Sequence, residues 1–136
     1  MIEITNYASL LAVGRQQSEP QRFLFVFLQA SLPDDYTDED KQRFDSGQGG
    51  ELQAVMCVDK TPDQLGSFSD LERESRGMGQ DWKIVLVSCL SGRKGIAPDS
   101  DAVELSLNRM VETVQRGGDL SKFMAFDRKG EPVLFH

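Results

Sequence analysis

A chain of 136 residues with 22 acidic and 15 basic side chains and a net charge of −7 has the size of one domain, and residues 1–136 read as a single α/β unit. The acidic balance excludes electrostatic attachment to nucleic-acid backbones or anionic membranes, which needs clustered Lys and Arg. No apolar run approaches the ~20 residues that span a bilayer, and the opening MIEITNYASL lacks the basic region of a secretory signal. Two cysteines far apart, Cys57 and Cys89, fit free thiols in the cytoplasm.

In chain order, TNYASLLAVGRQQ begins with the cap-type residues Thr5 and Asn6. It then sets Tyr7, Leu10, Leu11 and Gly14 on one helical face, and Pro20 ends the element. RFLFVFLQA follows, with Phe23, Phe25 and Phe27 on one side of a strand and Leu24, Val26 and Leu28 on the other. A strand apolar on both faces must be covered on both, so it belongs in the middle of a sheet. In SLPDDYTDEDKQRFDSGQGG, Thr37 and Asp40 form a capping-box pair that opens a short helix reaching about Phe44.

ELQAVMCV is the second strand, with Leu52, Ala54, Met56 and Val58 on one face and Val55 and Cys57 on the other. TPDQLGSFSDLERESRG supplies a cap, an early Pro and a helix with Leu65, Phe68 and Leu71 inward, closed by Gly77. WKIVLVSCL is the third strand. PDSDAVELSLNRMVETVQRGG is the clearest helix, its stripe running Val103, Leu107, Met110, Val111, Val114 from an acidic start to Gly117–Gly118. KFMAFDRKGEPVLF reads as a terminal hairpin turning at Lys129–Gly130.

Helices between successive strands imply crossover connections. The expected fold is therefore an α/β sandwich: a largely parallel sheet, helices on both faces, and a C-terminal hairpin. The first crossover helix has few apolar positions beyond Tyr36 and Phe44, so the alternative is an α+β fold with strands one and two antiparallel.

The segments QRFLFVF, LPDD, VMCVDKTP, LSGRKG, RMVE and FDRKGEP resemble, in the same order and over most of the chain, a small proteobacterial family of about this length. Its members are sometimes labelled an alpha subunit of ribonucleotide reductase. That label implies a redox cysteine pair and a radical-bearing cysteine in a much longer chain, which two isolated cysteines do not supply. The resemblance carries no active residues over to this chain.

Most catalytic chemistries lack their parts. The one histidine, His136, is the last residue, so no Ser-His-Asp or Cys-His mechanism has a positioned base. Two Cys without a CxxC make no zinc site, and no catalytic residue, metal or cofactor is expected. Cys57 and Cys89 read as small apolar core residues; activation of Cys57 beside Lys60 and a helix start is the alternative, a thiol redox protein. SGRKG at 91–95 matches no phosphate-loop spacing, and Asp99 and Asp101 would repel a phosphate from the helix after it. DDYTDED at 34–40 lacks calcium-loop spacing and reads as a solvated helix start.

A parallel sheet would gather the strand ends along one rim: Asp34 and Asp35, Asp59 and Lys60, Ser91, Arg93 and Lys94, Asp127 and Arg128. Ligands of open α/β sheets bind at such a rim. The expected function is a non-catalytic cytoplasmic protein that binds another protein, through the rim or through the acidic patch Asp34, Asp35, Asp38, Glu39 and Asp40. The rival is a ligand-binding domain or small enzyme using Asp59, Lys60, Ser91, Arg93, Lys94, Asp127 and Arg128.

Overall fold

The computed structural model describes residues 6–32, 35–45, 51–79 and 81–133. Its centre is the strand Gln21–Ser31 (β1). Six consecutive side chains, Phe23 through Leu28, are at most 1% exposed. Each such burial is worth roughly 1.5–3 kcal/mol, which fixes β1 as an inner strand. It pairs on one side with Glu51–Lys60 (β2) and on the other with Ile84–Ser91 (β3). Met124–Asp127 (β4) completes the order β2-β1-β3-β4.

Every pairing is antiparallel, so the largely parallel α/β sandwich expected from the element order is wrong, and the fold is α+β. The connections give the reason. The helix Asp38–Asp45 (α2), between β1 and β2, has the expected Thr37–Asp40 cap. Its described side chains, which leave out Phe44, are exposed apart from a half-buried Asp40, so they offer no face to pack on a sheet. A parallel crossover needs a helix that covers the sheet; without one the chain turns back beside β1. β2 and β3 do run in the same sense, but with β1 between them.

The two sheet faces have separate cores. Phe23, Phe25, Phe27, Val85, Val87 and Phe126 pack with Tyr7, Leu10 and Leu11 of Tyr7–Arg15 (α1) and Leu71 of Phe68–Gly77 (α3). The other face sets Leu24, Val26, Leu28, Leu86 and Ala125 against Val103, Met110 and Val114 of Ser100–Gln115 (α4). Asn6 caps α1 by accepting from the Ser9 N–H at 2.8 Å; Thr5 lies outside the described residues. α3 starts at its own cap, Ser67, and a separate 3₁₀ turn spans Pro62–Gln64.

A bulge in β2 changes which residues share a face. Phe27 pairs with Met56 and Leu28 with Ala54, leaving Val55 as the extra residue. Val55, Met56 and Val58 therefore pack on the phenylalanine face, while Leu52 and Ala54 join the α4 face. The uninterrupted alternation read from the sequence does not hold across this point. β4 has its outer side occupied: the Asp127 N–H donates to Glu131 O and the Val133 N–H to Ala125 O, both at 2.9 Å.

Candidate functional site

Antiparallel pairing divides the rim that the sequence brought together. Asp59 and Lys60 close β2 and Ser91 closes β3, with Arg93 and Lys94 just beyond, at the end of the sheet where β1 begins. Asp127 pairs with Ile84 at the opposite end, and Arg128 follows it there. Asp35 follows the C-terminal end of β1, on that same opposite side; Asp34 lies outside the described residues.

Within the first group the two faces separate the residues again. Lys60 is opposite Phe23, on the α3 face, and pairs with Glu74 at 2.9 Å. Asp59 is opposite Leu24, on the α4 face, 3.4 Å from Arg22 Nε. Ser91 Oγ accepts from Gln21 Nε2 at 2.9 Å. Arg93 and Ile96 close a tight turn whose tip needs positive φ, 53° at Lys94 and 77° at Gly95.

At the other end Asp127 Oδ1 accepts the N–H groups of Lys129 and Glu131, so it shapes the turn. Arg128 reaches Glu72 at 2.8 Å and Asp81 at 3.0 Å and lies over the Trp82 ring. Arg128 is thus engaged with two acids and Asp127 with backbone N–H groups, and the two side chains do not converge on one point. In the acidic segment Asp35, Asp38 and Glu39 are exposed, while Asp40 is held by Thr37 and Arg43, which lowers its pKa.

What the fold does assemble is a groove along β2. Cys57 and Asp59 of β2, Arg22 of β1, and Ser100, Val103, Glu104, Leu107 and Asn108 of α4 line about 310 Å³ of open space. The floor is apolar and the rim polar, with Asp59 and Glu104 against one cation. No single sequence segment announces this groove; a helical flank and two alternate strand positions meet only after folding.

The outer side of β2 is the second feature. β2 is the end strand, and among the described residues it is hydrogen-bonded on one side, to β1. From Leu52 to Val58 it carries no charge, and none of its described side chains is buried. The uncharged stretch from Leu52 to Val58 of this ten-residue edge strand is a template for another strand. β4, by contrast, has four residues and a covered outer side.

Both thiols depart from the core role expected of them, for Cys57 and Cys89 are exposed. Surrounding protein still removes water from the sulfurs. Cys57 is pushed up, and Cys89, whose Sγ donates to Gln21 Oε1 at 2.9 Å, is pushed up to about 11. Both are protonated at neutral pH, the opposite of an activated nucleophile. No three His, Cys, Asp or Glu side chains among the described residues are grouped to hold a metal ion. No helix among them is long and apolar enough to cross a membrane. No family model matches the chain, and no curated protein or solved structure matches it.

Proposed function

We propose that the protein is a non-catalytic cytoplasmic binding module that takes up an extended segment of a partner polypeptide as a fifth strand along β2. The observation that carries this reading is the open outer side of β2 beside the groove under α4. Strand addition draws affinity from main-chain hydrogen bonds and selectivity from pockets for alternate side chains, and an edge with an adjoining groove offers both. The bulge at Val55 sets register, since an incoming strand must accommodate the extra residue. Two unbridged thiols support the cytoplasmic setting.

Photo-crosslinking in the native cytoplasm tests the proposal. A benzophenone side chain at Gln53, exposed on β2, should give an adduct with one polypeptide, and the same group at Lys129, beyond β4 at the opposite edge of the sheet, should not. In the purified complex, amide hydrogen exchange across 52–59 should slow at alternate residues. Equal adducts from both positions, or unchanged exchange in β2, would overturn the reading.

A further inference from the structure

The other flank of α4 carries a second groove, between the helix and the β3–β4 side of the sheet, of about 320 Å³. That volume is at the small end of ligand sites, which run from roughly 300 to 1,000 Å³. Leu24 and Met110, both buried, form its floor with the half-buried Phe123. Ser88, Ser106, Thr113, Arg109 and Lys122 complete the lining, and no carboxylate is among them.

In a chain of net charge −7 this groove is lined by two cations and no acid. Neither Arg109 nor Lys122 is in an ion pair among the described residues. Lys122 lies over the Phe123 ring, 5.4 Å from its centre. Asp119 does feel Lys122, but its carboxylate is held first by the hydroxyl and N–H of Ser121 and does not line the groove.

The hydroxyls add to this. Ser88 sits opposite Leu24 in a sheet face that is otherwise mostly aliphatic, and neither it nor Ser106 makes a side-chain hydrogen bond among the described residues. Thr113 Oγ1 donates to Arg109 O at 2.8 Å and keeps lone pairs only for acceptance. Two cations outside any ion pair among the described residues, and two hydroxyls with no hydrogen bond there, beside an apolar floor suit a group that accepts hydrogen bonds, carries negative charge, and has a hydrocarbon end.

We propose that this groove binds a small amphipathic anion. A carboxylate or phosphate head sits between Arg109 and Lys122, and a short apolar body lies on Leu24, Met110 and Phe123. The groove on the opposite flank, where Asp59 meets Arg22 and Glu104 is in no ion pair among the described residues, selects against the same ligand.

The test is a two-dimensional amide NMR titration of the full chain with octanoate and with octyl phosphate, below their micelle concentrations. Octanol and inorganic phosphate run beside them. Shifts should appear at Ser88, Ser106, Arg109, Lys122 and Phe123 and not at Cys57 or Glu104, and the tighter of the two amphiphiles identifies the head group. Arg109→Gln and Lys122→Gln, both at exposed positions, should each weaken binding about tenfold, as loss of a charge-assisted hydrogen bond does. Glu104→Gln should leave it unchanged. Absence of shifts with both amphiphiles, octanol binding as tightly as octanoate, or the two cation variants binding like the parent would each overturn the proposal.

Discussion

Gly14 sits within α1 where a Cβ would stand 2.2 Å from Phe23 Cζ. Carbon atoms rest near 3.5–4.0 Å apart, so the overlap is deep. Phe23 has no exposed surface and shares its cluster with Tyr7, Leu10, Leu11 and Leu65, so its ring has nowhere to retreat. Helix propensity alone would favour Gly14→Ala by about 1 kcal/mol. Overpacking a filled core costs roughly 1–3 kcal/mol, and an overlap of this depth belongs at the upper end. The net expectation is a loss of about 2 kcal/mol.

Gly77, near the end of α3, is the control, because nothing lies within 4 Å of its Cβ position. Gly77→Ala should stabilise by about 0.4–1 kcal/mol. Urea unfolding followed by the fluorescence of Trp82, which is 3% exposed, reads both variants. With a urea slope of ~2 kcal/mol per molar, the Gly14→Ala midpoint should fall by about 1 M with the slope unchanged. A cycle with Phe23→Leu locates the cause: shortening the ring should cost less in the Gly14→Ala background than in the parent, by about 0.5 kcal/mol or more. If Gly14→Ala raises the midpoint as Gly77→Ala does, α1 does not rest on Phe23, and the packing of the phenylalanine face is refuted.

Ser75 is 2% exposed and its Oγ accepts from Trp82 Nε1 at 2.7 Å. Ser75→Ala strands that indole donor, so urea unfolding should show a loss of about 1–3 kcal/mol, with a shift in Trp82 emission. Arg128→Gln removes the pair with the half-buried Glu72 and the stack on Trp82. The pair with Asp81, 83% exposed, adds little, and the total loss should be about 1–2 kcal/mol in the same assay. Alkylation of native protein by iodoacetamide should be slow at pH 7.5 and still climbing at pH 10, because Cys89 ionises near 11 against an ordinary 9.0; a plateau by pH 8 would contradict this. The same raised pKa favours the neutral thiol in the folded state. Its stabilising contribution is complete below pH 9 and should fade as pH rises through 11.

Interactions within one element were legible in the sequence. Asn6, Thr37 and Asp99 were readable as helix starts because a cap is decided by three or four adjacent residues. The stripe on α4 was readable for the same reason, and so was the central place of β1, since three phenylalanines and three aliphatics on opposite sides require two covered faces. Strand direction was not, because apolar alternation is identical in parallel and antiparallel strands. It depends on whether the intervening helix can cover the sheet, and the polar surface of α2 held that information. The exposure of Cys57 was hidden likewise: Val58, its neighbour in sequence, packs on the phenylalanine face, while Cys57 lies at the groove beside α4.

Net charge misleads about such a molecule because the α4 period sorts charge by flank. Residues three or four apart stand one above another on a helix. Ser100, Glu104 and Asn108 therefore share the flank toward β2, while Ser106, Arg109 and Thr113 share the flank toward β3. The strands beneath complete the sorting, Asp59 adding an acid on the first side and Ser88 a neutral hydroxyl on the second. The helical half of each groove was present in the sequence as a spacing. The strand half, together with Lys122 after α4, required the register that antiparallel pairing sets. A parallel sheet would have placed other strand residues beneath the same two flanks.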